Sequence, residues 1–454
     1  MSFRIGLRAA LSTTLSVAFL AGCSDSDDNS NTLESSLEIY SWWTSGGESD
    51  ALDALLAIYS AEYPSVRVTN AASNESTNAR ERLAERMNSG EPPDSFQTIS
   101  GVGLLSWVAD GKMTSISDLA EKNGWRDVFP AAVLDILSVD GELYGVPANI
   151  ERDNNLYYNI KVLKDASIEP PISLEDFYSA CSDLRENGTT PLAVPAAGWV
   201  LALVAFETLM PSVLGGEYYN DFFSGNIDPS APELRTFFVE FAKVLECSNV
   251  SSAESSWSVA ADLMYSGDAA MYVMGDWAKG YFEGGKNADD KTVDALEADV
   301  DFGVVPGLGS SGYFTFNSAV FGLPAGAQHP RAAREFLEVV GSKQGQEAFN
   351  PLKGSVPARS DADPSLFDDM VKGAVSDFQE AAEGNNRLLA GYASLTSFAY
   401  QKEVNPALLV FAVGGKRAQS LDPENVSDSE VSIPALDVDY ILGKIRVSYP
   451  ILQK

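Results

Sequence analysis

The 454-residue chain sets 64 acidic residues against 31 basic ones, a formal net charge of −33. That balance excludes nucleic acid as a partner, because nucleic acid demands a basic surface, and it argues against docking on anionic lipid. It describes a heavily solvated acidic surface over a chain whose 45% hydrophobic content can bury a large core and divides most simply into two lobes.

The N-terminus sets the expected compartment. Arg4 and Arg8 precede an apolar segment, residues 9–20, too short for a permanent membrane span. Leu20-Ala21-Gly22-Cys23 resembles the bacterial lipobox, which implies cleavage before Cys23 and acylation of its thiol. An ordinary secretory signal with a stray Cys is the alternative. Residues 24–35 are polar and acidic and read as a disordered tether. No later segment reads as apolar enough to cross a membrane. The expectation is a soluble protein in the periplasm or at the cell exterior, anchored by lipid.

After the tether, Leu37–Tyr40 reads as a strand that runs into Trp42-Trp43 and the loop 44–48. Adjacent indoles on extended backbone point to opposite sides. Either one is core and its neighbour half-exposed, or the pair offers an apolar platform suited to the C–H face of a sugar. Leu52, Leu55, Leu56 and Tyr59 then recur at helical spacing, and Val66–Val68 alternates as a strand. A helix over 78–87, a strand over Ser95–Ile99 and a helix carrying Leu104, Leu105 and Val108 complete a βαβ pattern with parallel strands.

Next come β-rich pieces at 143–147 and 156–159. The polar stretch 149–155 between them suits a crossing between lobes. Ser173 caps the helix that carries Cys181, with Asp176 three residues on. Further helices are expected around 201–210 and 234–245, strands at 302–305 and 319–323, and a helix opened by Pro330. Residues 420–432 read as an exposed loop. With Cys23 committed to the anchor, Cys181 and Cys247 are an even pair in an oxidising compartment, which suggests one disulfide. Two buried free thiols is the alternative.

Much chemistry is missing. His329 is the sole histidine, and its place just before a helix suits a structural or solvated role. Histidine-dependent nucleophilic catalysis and zinc sites have little to work with, so no catalytic residue, metal or cofactor is expected. No phosphate-binding glycine loop is present. A carboxylate pair for glycoside hydrolysis is a minority reading, because nothing singles out two of so many acids. The positive signal is aromatic. Trp199, Trp257 and Trp277 follow the first pair, and Met271–Trp277 reads as an apolar strand leading into Gly, Asp and Trp. Ligands in open α/β sheets sit outside the carboxyl ends of strands.

Six stretches carry a resemblance that spans nearly the whole mature chain: LEIYSWW (37–43), PPDSFQ (92–97), YGVPANI (144–150), VMGDWAKG (273–280), FGLP (321–324) and NPLKGS (350–355). Together and in order they resemble the sugar-binding components of ABC importers, the extracellular solute-binding family that includes maltose-binding protein, and most narrowly its glucose- and mannose-binding members. The resemblance implies a type II periplasmic-binding-protein-like fold, with two α/β lobes joined by a hinge around a cleft. It implies a first lobe of about 36–148 plus 304–354 and a second of about 149–303 plus 355–454. It places both Cys181 and Cys247 at family positions, which supports the disulfide.

The site carries over residue by residue. Trp42 and Trp43 match the family's sugar-binding tryptophans, and Glu48 reaches a hydroxyl from the same loop. Gln97 matches a hydroxyl-binding amide, Trp257 a second-lobe aromatic and Lys353 a donor to sugar oxygens. Asp276, Trp277 and Asn317 stand beside them, although Trp277 could instead floor its lobe. Three positions depart from the glucose-binding members, whose polar residues correspond to Ile99, Ala319 and Ser394 here. Each buried sugar hydroxyl left unpaired costs about 1–3 kcal/mol, so glucose is doubtful as the ligand and a substituted or acidic sugar stays open. The expected function is a non-enzymatic, monomeric saccharide receptor that serves ABC permease subunits in the inner membrane. A signalling receptor of the same fold and a glycoside-active enzyme are the rivals.

Overall fold

The computed structural model describes residues 36–72, 76–283, 302–421 and 434–452. Cys23, the signal and the acidic tether lie outside these residues, as does most of the expected loop at 420–432.

Strands β1 (Ser36–Tyr40), β2 (Arg67–Asn70) and β3 (Ser95–Ile99) alternate with helices Gly46–Glu62 and Ser76–Ser89, and β1 pairs in parallel with both other strands. A short hairpin, β4 (Ser138–Val139) and β5 (Glu142–Leu143), leads to β6 (Gly145–Pro147). The linking strand β7 (Glu151–Arg152) follows, then β8 (Asn155–Asn159), β9 (Thr190–Ala193), β10 (Ala269–Met274) and β11 (Phe302–Pro306). The chain returns through β12 (Phe314–Asn317) and β13 (Ala319–Gly322), and β14 (Leu388–Ala390) is the last strand.

Two main sheets result. The first has the order β2-β1-β3-β13-β6 and the second β11-β8-β10-β9. In the first, β13 enters antiparallel between β3 and β6, although some 220 residues separate it from β3. Each sheet carries its own apolar core. The first core holds Leu37, Ile39, Phe96, Phe321 and Phe336; the second holds Tyr157, Phe206, Phe237, Met271 and Phe411. Between them lies a three-stranded sheet, β14-β12-β7. β7 and β12 carry the chain between the two main sheets, and β14 leads into the C-terminal helices that pack on the second core.

The predicted elements appear close to their expected bounds. Ser173 Oγ accepts from the Asp176 N–H at 3.1 Å and caps Leu174–Glu186. Pro330 opens Pro330–Gly341. His329 is structural, its backbone N–H donating to Asp94 at 2.7 Å and its ring Nδ1 lying 3.0 Å from the same carboxylate. Cys181 and Cys247 form a disulfide across a Cα–Cα distance of 5.9 Å, so the free-thiol alternative falls.

One sequence expectation needs correcting. The helical stretch Gly198–Phe223 is long and apolar enough to cross a membrane by composition, contrary to the reading that no later segment is. It is a core helix, however, with 67% of its apolar window buried within the second lobe. It is also irregular: Leu203–Leu209 is π-helical, and Gly215 breaks the helix at φ 82°.

Candidate ligand-binding site

The site is built where β1, β3 and β10 end and the linking strands begin. Trp42 and Trp43 point to opposite sides, as extended backbone requires. Trp43 is core, only 1% exposed, with ring centroids 5.8 Å from Phe321 and 5.3 Å from Phe349. Its indole donates to Glu48 in the first turn of Gly46–Glu62. Trp42 is half-buried, and its backbone N–H donates to Gln97 Oε1 at 3.3 Å. The Arg80 guanidinium lies 5.2 Å from the Trp42 ring, within cation–π reach. The pair is thus one core indole and one indole at the seam between lobes.

Lys353 ends the helix Lys343–Lys353 and is fully buried. Its Nζ lies 2.8 Å from Glu151 Oε1 and 3.1 Å from Glu48 Oε1, ion-pair distances to both carboxylates. The same ammonium sits 6.0 Å from the Trp43 ring and 5.3 Å from the Trp277 ring. Burial would strip its charge, but Glu151, Glu48 and Asp276 together outweigh that and raise its pKa. Burial pushes Glu48 upward against the opposing pull of Lys353. Asp276 rises well above the carboxylate range for the same reason; its Oδ2 accepts from the Arg152 N–H at 2.9 Å.

From the second lobe, Trp277 pairs with Trp199 at 6.4 Å between ring centroids. Trp199 is 36% exposed, the most open indole near this seam. It was not among the expected site residues, although an indole right after Gly198, in the first turn of the helix that follows β9, was the available signal. Trp257 turns its ring edge-on to Tyr281 at 5.3 Å and packs on the second core.

The floor lies at the linking sheet. Ile99 and Ala319 are direct cross-strand partners. Ser394 Oγ lies 2.8 Å from Ser100 Oγ, beside Ile99, and donates to Asn317 Oδ1 at 2.7 Å. The three positions expected to depart from the glucose-binding pattern therefore lie together. Two acids missed by the sequence reading complete it. Asp153 accepts from Asn317 Nδ2, and Glu207 touches both Asp153 and Asn317. Asp153 lay inside the polar crossing, and Glu207 is the one charged residue in the apolar run 199–213; either fact could have flagged them.

The lobes touch directly across the seam. Arg80 Nη1 donates to Gln401 Oε1 at 3.2 Å, and Lys402 pairs with Glu81 at 2.6 Å. Gly47 and Gly280 meet so closely that a Cβ on Gly47 would lie 3.1 Å from the Gly280 Cα. Burial alone lowers the Arg80 pKa to about 10, so it keeps its charge at neutral pH. Two cavities flank this region, one at the N-terminal edge of β1 by His329 and one lined by Arg152, Asp276 and Met370. Converging indoles and buried polar groups mark this site. No group of three or more His, Cys, Asp or Glu is placed to hold a metal among the described residues.

Two α/β lobes, a three-strand connection and a polar, aromatic seam between them define a two-lobed binding protein of type II architecture. The chain matches the model of the bacterial extracellular solute-binding proteins over residues 54–375. It belongs to that family. It is 32% identical over 349 residues, 76% of either chain, to an uncharacterised ABC transporter extracellular-binding protein of Pyrococcus horikoshii. It is 26% identical over 360 residues to the xylose/arabinose-binding protein XacG of Haloferax volcanii, covering 77% of this chain and 75% of that one. The solved bacterial solute receptor AcbH, described as preferring β-D-galactopyranose, superposes with a TM-score of 0.75 at 18% identity, over 93% of this chain and 100% of its own. A chitin oligosaccharide-binding protein does so at 0.73 and 19%, over 92% and 99%. These two likenesses establish a shared fold.

Proposed function

We propose that this chain is an extracytoplasmic saccharide receptor that closes two lobes over a small sugar and presents the closed form to ABC permease subunits. The observation that carries the reading is Lys353. Its ammonium lies between the rings of Trp43 and Trp277, from opposite lobes, with Glu48, Glu151 and Asp276 around it. Around this buried centre the half-buried indoles Trp42 and Trp277 and the fixed polar groups of both lobes suit a ligand with apolar C–H faces and a hydroxyl rim. Relatives named for xylose, arabinose and glucose support the same class.

The lobes divide in this reading at about 36–148 plus 304–354 and 149–303 plus 355–454. The ligand contacts are Trp42, Glu48, Gln97, Trp277 and Lys353, with Asn317 at the floor. Trp199 joins them as a second-lobe platform, and Trp257 supports Tyr281 from behind. Ile99, Ala319 and Ser394 make the floor less polar than a glucose site needs. The chain binds and does not turn over its sugar, works as a monomer, and is held to the membrane by a lipid on Cys23. Opening the direct lobe contacts admits the ligand, and closure re-forms them around it.

A thermal-shift screen against D-glucose, D-xylose, D-galactose, their disaccharides and uronic acids tests this. A bound sugar raises the melting temperature and changes tryptophan fluorescence, and Trp277→Ala removes both responses. Absence of any response across the screen would sink the receptor reading.

A further inference from the structure

Two carboxyls lie in contact at the floor of the seam with no cation between them. Asp153, from the polar crossing, is fully buried, and Glu207, from the π-helical turn Leu203–Leu209, is 3% exposed. Asp153 Oδ2 accepts from Asn317 Nδ2, but its Oδ1 has no donor among the described residues. Glu207 receives the backbone N–H groups of Tyr392 and Ala393 and touches the side chains of Asn317 and Asp153.

The surrounding charges make the contact worse. Glu151 on β7 and Asp276 beyond β10 both face Asp153 with the same sign. Arg152 turns away, its guanidinium 2.5 Å from Asp377 and stacked over Phe314. Lys353 is engaged with Glu151 and Glu48. The remaining titratable neighbours, Tyr219 and Tyr392, donate their hydroxyls elsewhere, to the Ala390 carbonyl and to Asn405. Two touching carboxylates in such a place cannot both be ionised. A proton on one of them supplies the donor that Asp153 Oδ1 lacks.

We propose that Asp153 and Glu207 hold one proton between them and that this shared proton positions Asn317 and Ser394 where the two lobes meet. Asn317 is fixed at both ends, its Nδ2 on Asp153 and its Oδ1 receiving Ser394 Oγ. Ser394 in turn reaches Ser100 of the first lobe. Loss of the proton places a second charge in the pair and pushes the acids apart. The chain of contacts from Glu207 through Asn317 to Ser100 then loosens, and the lobes part. Asp153 and Glu207 are positioning residues. Their bearing on sugar binding rests on the reading of this seam as the saccharide cleft; the proton itself does not.

Burial, the leading cause in both, pushes Glu207 up to about 7 from an ordinary 4.5 and raises Asp153 well above its ordinary 3.8, with Glu207 the next contributor to Asp153. The native protein therefore keeps a proton that the unfolded chain releases. The stabilisation is fully present below about pH 4.5 and is lost as pH rises through about 7. Over that window the folding equilibrium constant falls roughly 300-fold from the Glu207 proton alone.

The test compares the pH profile of unfolding, without sugar, in the mature chain and in Glu207→Gln. Glutamine keeps a permanent donor toward Asp153 and has no proton to lose. The expected result is a steep decline for wild type and a shallower one for Glu207→Gln, the two differing by roughly 300-fold in equilibrium constant across the window. Small-angle scattering should find the wild type opening above about pH 7 while the variant stays closed. Parallel profiles would overturn the proposal. If Glu207→Gln fails to fold, infrared spectroscopy of the wild type decides. A protonated-carboxyl band that persists at about pH 6, in the wild type and equally in Asp276→Asn, supports the pair, and its absence from either rejects it. Failure of every sugar to bind would count against the receptor reading and leave the shared proton standing.

Discussion

Trp42 and Trp43 are neighbours in sequence with different work. The Trp43 ring is packed among Phe321 and Phe349, so Trp43→Ala should cost about 3–5 kcal/mol of stability in urea unfolding. Trp42 is half-buried under Arg80, so Trp42→Ala should leave stability within about 1 kcal/mol while weakening sugar binding in a fluorescence titration. Equal stability losses in the two variants would contradict this division. Lys353 poses the same kind of test. Replacing it with Met leaves Glu48, Glu151 and Asp276 without their counter-ion and should cost about 3–5 kcal/mol. The sequence made these residues legible because indoles at strand ends and a lysine in a family stretch are local signals. Asp153 and Glu207 could be flagged but not interpreted, because their meaning comes from a contact between residues 54 positions apart.

Among elements, most strands of the two main sheets were readable because they are runs of apolar or alternating residues between turn signals, as in Ser95–Ile99 and Ala269–Met274, whereas Thr190–Ala193 was missed. The linking strands were not readable. Glu151–Arg152 and Leu388–Ala390 span two and three residues, too few for any period to appear. The late helix Phe398–Val413 was missed because it is buried nearly all round and holds Pro406 inside, which blurs its polar face. The disulfide ties the helix Leu174–Glu186 to the end of Pro232–Glu246 across 66 residues. Cys181→Ser should lower stability by about 2–4 kcal/mol, seen as an equal effect of reductant on the wild type alone. Gly47 permits the close approach of three elements. A methyl there would meet the Leu352 carbonyl at 2.3 Å, so Gly47→Ala should cost about 1–3 kcal/mol and favour the parted lobes in small-angle scattering.

At the scale of the molecule, the contacts across the seam suit an interface that must break repeatedly. Lys402 and Glu81 are both about half exposed, and such pairs contribute only about 0–1 kcal/mol. The net charge of −33 repels itself and is screened within about 10 Å at moderate salt, so melting temperature should rise with added sodium chloride. A flat salt profile would mean that the acidic surface is already neutralised by bound cations. The placement of β13 has a consequence in time. The first sheet stays open between β3 and β6 until residues 319–322 arrive. A chain emerging from the ribosome therefore cannot finish its N-terminal core until about 70% of it exists. Such long-range closure slows folding, and slow folding keeps a chain extended long enough to be threaded through an export channel before its shape becomes permanent.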